Sequence, residues 1–212
     1  MLVVQCDFDD TITLGNVSFA IREKFGPPNW LDMENDYLSG RYSVEESNIR
    51  QYGLIKTTKQ ELETFVVQQT RIRLGFANFN AYCRQAGVTL VIVSSGLDIY
   101  IRPVLAAIGL DNIEFHSGTA RITSSGIVVK YTDPFFREIR SGFKESYVRY
   151  YKNKGNLVAY VGDGISDIIP AREADFSLGR SSLLDHARKE GTDCHPFESF
   201  DDVTKIIESI IH

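Results

Sequence analysis

The feature that most limits what this chain can fold into is a short apolar run, Leu2-Val3-Val4-Gln5-Cys6, that ends abruptly in Asp7-Phe8-Asp9-Asp10-Thr11. A run of that length reads as a buried β-strand and is far too short to cross a membrane. Side chains alternate along a strand, so Asp7 and Asp9 can point the same way at its carboxyl end. In α/β proteins, ligands collect at that end of the strands. Two neighbouring carboxylates repel each other. Such a pair holds a cation, shares a proton or does chemistry. An acidic, solvated turn is the plainer alternative.

The same pattern recurs. Asn156-Leu157-Val158-Ala159-Tyr160-Val161 reads as another strand, and it runs into Gly162-Asp163-Gly164-Ile165-Ser166-Asp167. Glycines let the backbone turn sharply and approach a ligand, and they are also ordinary turn residues. Asp163 and Asp167 would face a site between the strand end and a following helix. A third strand, residues 88–93, is followed by Ser94-Ser95-Gly96 and by a helical pattern from Leu97. Hydroxyls beside a helix N-terminus make a phosphate cradle; a simple serine N-cap is the alternative. Lys144 opens a helical stretch just before the strand that ends in Asp163. There it could neutralise a phosphoryl group and the crowded carboxylates, or it could face solvent as helix lysines commonly do.

Taken together, these motifs resemble those of the haloacid dehalogenase superfamily of phosphotransferases. Asp7-Phe8-Asp9-Asp10-Thr11 matches that family's first motif, Ser94 its second, Lys144 its third and Gly162-Asp163-Gly164-Ile165-Ser166-Asp167 its fourth. The order is that of the family, and the resemblance covers nearly the whole chain. Within the superfamily the chain is similar to the phosphoserine-phosphatase-like branch, and most of all to the methionine-salvage phosphatases that act on a methylthio enol phosphate. Phe25-Gly26-Pro27-Pro28-Asn29-Trp30, Ser43-Val44-Glu45-Glu46 and Tyr52-Gly53-Leu54 carry that likeness. Phosphoserine phosphatases place a Glu after the first motif to hold the substrate amine; Asn16 stands near that place here.

The resemblance implies a phosphatase that cleaves a small-molecule phosphomonoester with Mg²⁺. It implies that Asp7 is the nucleophile and forms an aspartyl phosphate, and that Asp9 is the general acid and base. Ser94, Ser95, Gly96 and Lys144 would bind the phosphate. Asp7 and Asp163 would hold the metal with the Asp9 backbone carbonyl, and Asp167 would orient a metal-bound water. A phospho-Asp receiver domain of signalling shares much of this inventory, but it is a compact domain of about 120 residues. It has no helical insertion after the first acidic strand. A degenerate binding module on the same fold would not need the full set of acids, Ser94 and Lys144.

The fold expected is α/β, a doubly wound parallel sheet, with catalytic core residues 1–13 and 76–212. Residues 14–75 form an inserted helical cap, with helices at 17–25, 30–38, 44–52 and 59–69. Ser43 and Glu46 have capping-box spacing. Beyond the cap, helices are expected at 76–86, 98–108, 143–152, 167–173 and 200–211, with strands at 112–116 and near Phe176. A β-hairpin is expected over 118–131. The cap segment from Phe25 to Trp30 offers apolar surface for a methylthio tail. Most cap aromatics, like Cys6 and Cys83, read as core. The net charge of −5 gives no basic footprint for nucleic acid. The first residues lack the basic start of a signal peptide, so a cytoplasmic location is the expectation. Oligomeric state is not legible.

Overall fold

Every residue of β1 (Leu2–Cys6) is buried, and the strand lies inside the sheet with partners on both sides. The computed structural model describes residues 1–211. After β1 the chain makes four helices, α1 (Val17–Phe25), α2 (Trp30–Leu38), α3 (Val44–Tyr52) and α4 (Lys59–Gln69). It returns through α5 (Phe76–Ala86), β2 (Thr89–Leu97) and α6 (Asp98–Ala107). An antiparallel excursion follows in β3 (Glu114–Thr123), β4 (Gly126–Thr132) and β5 (Glu138–Ile139). Then come α7 (Phe143–Asn153), β6 (Leu157–Gly162), a 3-10 turn at Ile165–Asp167, α8 (Ile168–Glu173) and β7 (Phe176–Gly179). The chain closes with α9 (Ser181–Glu190), β8 (His195–Pro196) and α10 (Phe200–Ile211).

The strand order is β5-β4-β3-β2-β1-β6-β7-β8. β1 pairs in parallel with β2, Cys6 opposite Ile92, and with β6, Cys6 opposite Val161. The chain builds out to one side of β1 with β2 and β3, then crosses to the other side with β6 and β7. The crevice beyond the carboxyl end of β1 is therefore a topological switch point, where open α/β sheets bind ligands. Helices cover both faces, which is why the central strands read as continuous apolar runs rather than as alternating ones.

Several elements differ from expectation. The strand expected at 112–116 and the first hairpin arm are one strand, β3, which pairs in parallel with β2 as far as Gly118 and then antiparallel with β4. β5, α9 and β8 have no counterpart in the sequence reading. Only Leu183 and Ala187 of α9 are buried, too few for an apolar period, and β8 has two residues. The Ser43 hydroxyl caps α3 by accepting from Glu46 N at 3.0 Å, but the Glu46 side chain turns to Arg50 instead of completing a box. The reciprocal box forms at Thr58 and Glu61.

Three of the inserted helices, α1, α3 and α4, share one apolar core with the sheet through Val17, Ile21, Tyr52, Leu62 and Val66. Polar ties fix their position. Asn48 Nδ2 donates to the Ser95 carbonyl at 2.8 Å and contacts the Tyr131 hydroxyl at 2.9 Å. Phe143 N donates to Glu45 Oε1 at 2.9 Å. The hairpin turn sits so close under the end of α3 that a Cβ on Gly126 would fall 1.9 Å from the Gly53 carbonyl oxygen. The hairpin thus braces the inserted helices, a job its sequence did not announce.

Candidate active site

The loop after β1 is bent by Asp10, which sits at φ 58° in the left-handed region. Such a conformation in a non-glycine residue costs energy and persists where the surroundings hold it. Here Asp10 N donates to Thr13 Oγ1 at 3.1 Å, and the Asp10 carbonyl accepts from Arg73 at 2.6 Å and Arg180 at 3.1 Å. Arg73 also donates to the Thr11 and Thr13 carbonyls. This clamp fixes the two acids in different settings. Asp7 Oδ1 lies 2.9 Å from Lys144 Nζ. Asp9 is held by neutral donors, Val17 N at 2.8 Å on Oδ1 and the Tyr100 hydroxyl at 2.5 Å on Oδ2. Burial, set against those donors, raises the Asp9 carboxyl above its ordinary value.

At the second strand end, a Cβ on Gly96 would fall 2.0 Å from the Tyr100 hydroxyl oxygen and 3.1 Å from Asp9 Oδ2. Glycine is what lets that hydroxyl reach Asp9. The segment stays extended through Leu97, which pairs with Gly118 of β3. α6 starts at Asp98, as expected, and Ser94 Oγ takes no hydrogen bond from the α6 amides among the described residues. Gly96 N donates to Ser94 Oγ instead, at 3.0 Å. Ser95 Oγ is buried without a partner among the described residues.

Lys144 is only 2 % exposed, which removes the solvent-facing alternative. Its ammonium bridges Asp7 Oδ1 and Asp167 Oδ1, the latter at 2.6 Å. Asp167 Oδ1 also accepts from the Tyr160 hydroxyl, and its Oδ2 accepts from Asp163 N at 2.9 Å and Gly164 N at 2.8 Å. Its two oxygens thus already serve four donors. Asp163 Oδ1 takes the Thr11 hydroxyl at 2.8 Å. A side chain on Gly162 would strike Asp167, since its Cβ would lie 2.6 Å from Cγ.

Carboxylate oxygens of Asp7, Asp163 and Asp167 lie within 4.8 Å of one another. Lys144 offsets one of these three charges and leaves two. Burial, then the neighbouring carboxylates, push Asp163 up to about 8. Burial also pushes Asp7 up to about 7, with Lys144 opposing it. At Asp167 the Lys144 ammonium outweighs burial and the carboxyl is lowered. A buried oxygen-only cluster with two uncompensated negative charges suits a hard divalent cation. Asp7 and Asp163 have the fewest competing donors and are best placed to hold one.

One cavity of about 230 Å³ unites these groups. Asp7, Asp9, Ser94, Ser95, Gly96, Lys144, Asp163 and Asp167 all line it, so the structure brings together every site residue expected from sequence. Its other end is built by the inserted helices, with Asn16, Arg22, Glu34, Tyr37 and Asn48. The expected apolar segment from Phe25 to Trp30 is not part of the lining. Phe25 packs edge-on against Phe65 and Trp30 against Phe19, because these rings bury more surface against each other than a polar cavity offers. The large apolar side chains of the lining are Leu38, Val44 and Ile165. Sequence reasoning missed Arg73, Tyr100, Arg22, Glu34 and Asn48. None sits at a strand end, the signal that exposed the acids and serines.

Comparison with known proteins agrees with this geometry. The sequence profile of the haloacid dehalogenase-like hydrolases matches residues 4–171. A 2-hydroxy-3-keto-5-methylthiopentenyl-1-phosphate phosphatase of Brevibacillus brevis is 31% identical over 99% of this chain and 96% of its own. The protein of that name from Geobacillus kaustophilus is 32% identical over 98% and 96%. In fold, the chain resembles a substrate-bound phosphoserine phosphatase with a TM-score of 0.73 at 17% identity, covering 96% of this chain and 97% of that one. With its strand-end acids, buried lysine and serines gathered in one cavity, the chain belongs to the haloacid dehalogenase-like hydrolases and is a phosphatase.

Proposed function

We propose that the chain hydrolyses a small phosphomonoester through an aspartyl phosphate on Asp7, with Mg²⁺ held by Asp7, Asp163 and the Asp9 backbone carbonyl. We further propose that its substrate is 2-hydroxy-3-keto-5-methylthiopentenyl-1-phosphate, the compound in its relatives' names. The observation that carries the mechanism is the division of labour between the two loop acids. Asp7 is paired with a cation at 2.9 Å, whereas Asp9 sits among neutral donors with its carboxyl raised. The first arrangement aims a carboxylate whose ionised form the ammonium favours against burial; the second leaves a carboxyl without a counter-cation, suited to carry and return a proton.

An Asp7 oxygen attacks phosphorus in line, forming the aspartyl O–P bond as the ester P–O bond breaks. Asp9 gives its proton to the departing oxygen. In the second half, Asp9 takes a proton from water as that water attacks phosphorus, and the Asp7 carboxylate leaves. Ser94, Ser95 and Lys144 bind the phosphoryl oxygens throughout. The bound cation would neutralise charge on the transferring group, the largest demand in phosphoryl transfer. Asp167, with its oxygens committed, acts by holding Lys144 and the 163–164 amides in place. The helices α1–α4 serve as the cap that closes over the leaving group.

Phosphoserine is the rival substrate. Its ammonium needs a charged partner in a closed site. Asn16 is neutral and its Oδ1 already accepts from Phe19 N at 2.8 Å, and the carboxylate at this end of the cavity, Glu34, is already balanced by Arg22 at 3.6 Å and bonded by Gln51. The test is kcat/KM for the enol phosphate and for phosphoserine on one preparation with Mg²⁺. The enol phosphate should win. A tenfold preference for phosphoserine, about 1.4 kcal/mol of transition-state binding, overturns the substrate. Release of no more than one phosphate per chain would instead favour a receiver.

A further inference from the structure

We propose that Arg22 and Glu34 together form the specificity element of the cavity, reading a carbonyl and a neighbouring hydroxyl on the leaving group. The proposal rests on the phosphatase reading above and gives residues to its substrate class. Arg22, on α1, is 6 % exposed and lines the same cavity as the catalytic acids. A guanidinium in so closed a place normally has its donors satisfied. This one is not satisfied. Arg22 Nη1 donates to Asn48 Oδ1 at 3.2 Å, Nη2 stands 3.6 Å from Glu34 Oε2, and Nε is buried with no partner among the described residues. The ion pair is longer than a hydrogen bond, so it balances charge without using the donors.

Glu34, on α2, lines the cavity beside Arg22 and accepts from Gln51 Nε2 at 3.1 Å. The pair thus offers hydrogen-bond donors from one side chain and an acceptor from the next, with no net charge. A carboxylate on the leaving group would meet Glu34 as a second buried anion. A ketone oxygen can accept from Arg22 while an adjacent hydroxyl donates to Glu34. An α-hydroxy ketone or its enol fits both, and the name 2-hydroxy-3-keto describes that grouping.

Arg22 is also in register with the phosphate end. The Asn48 side chain that receives its Nη1 donates from Nδ2 to the Ser95 carbonyl at 2.8 Å. One asparagine therefore ties the cap guanidinium to the strand end that binds phosphate. Ligand recognition in the cap and placement of the phosphate loop share that residue.

The test compares kcat/KM for two phosphate esters of one chain length, butyl phosphate and 2-hydroxy-3-oxobutyl phosphate. The second carries the hydroxyl and ketone at the spacing named above. Wild type should prefer it by about tenfold to a hundredfold, the range for hydrogen bonds to charged groups. Arg22→Met, checked for folding by its thermal transition, should lower that ratio at least about tenfold. A purely structural role would slow both esters together and leave the ratio alone. No preference in wild type, or a ratio in folded Arg22→Met that falls less than this, overturns the proposal. If Arg22→Met does not fold, Glu34→Ala decides: a ratio lowered at least about fivefold supports the proposal, and a smaller fall overturns it. Poor turnover of the methylthio enol phosphate by wild type, with the ratio and its loss intact, overturns the substrate proposed above and leaves this assignment standing.

Discussion

The two ends of the active cavity are built on opposite principles. The phosphate end is made by strand termini of the parallel sheet, held by backbone contacts such as Asp7 N to the Val161 carbonyl at 2.9 Å. Its groups are few, charged and crowded, and Lys144, Asp7 and Asp167 satisfy one another. The cap end is made by helix side chains from three segments, tied by side-chain hydrogen bonds through Asn48 and Gln51. Buried atoms such as Arg22 Nε and Gln51 Oε1 are left without partners among the described residues. On the reading proposed above, the chemistry is set by rigid backbone, whereas specificity is set by side chains kept open for a ligand.

The largest effect should come from the phosphate end. Asp7→Asn is expected to keep its fold and lose kcat by about 100,000-fold, the scale of removing a covalent nucleophile. Steady-state phosphate release measures it. Asp9→Asn should cost about 100- to 10,000-fold on an alkyl phosphate, the range for general acid–base catalysis. The loss should shrink with p-nitrophenyl phosphate, whose leaving group needs no proton. Equal losses on the two esters would dissolve the distinction between the loop acids.

How much of this was legible in the sequence follows the same division. A strand that runs straight into an acid is visible as an apolar run cut off by charge, which exposes Asp7 and Asp163; Ser94 shows as the hydroxyl that ends a third apolar run. Each inserted helix was legible from apolar spacing and flanking punctuation, such as Pro27-Pro28 after α1. The polar cap cluster was not. Arg22 reads as one more charged helix residue, and only the fold shows it buried. Tyr100 is hidden for a similar reason: its contact with Asp9 depends on Gly96 giving way, which no local pattern records. The Phe25–Trp30 segment misled because aromatic rings in a helical layer satisfy one another before they serve a polar cavity.

A middle-sized effect concerns pH and metal. Asp7 and Asp163 are raised to about 7 and about 8 by burial and mutual repulsion. Between about pH 4 and 8 the folded chain therefore holds protons that the unfolded chain has released, and stability falls as pH rises through that window. Asp167 is shifted the other way, so its contribution is present throughout the window and is lost only at lower pH. The melting temperature of chelator-treated protein should drop from pH 5 to pH 8, and Mg²⁺ should restore it most at the upper end. A Mg²⁺ effect that is flat with pH would contradict the charge argument for the metal.

The smallest effect should come from the brace between hairpin and cap. Tyr131→Phe removes the hydroxyl that meets the Ser95 carbonyl and Asn48, all three residues being buried. Stability should fall by about 1 kcal/mol, the net worth of a buried hydrogen bond, measured by urea unfolding. KM should rise with kcat little changed. A fall in kcat at constant KM would place the hairpin's influence at the phosphate end instead.

The central claim is the covalent intermediate on Asp7. Enzyme mixed with p-nitrophenyl phosphate and Mg²⁺, quenched in acid during turnover and reduced with borohydride, should carry homoserine in place of Asp7 when its peptides are read by mass spectrometry. The Asp9→Asn variant, slowed in the second half-reaction, should carry at least as much. Reduced product at another residue, or none at Asp7 while phosphate release continues, would contradict the account.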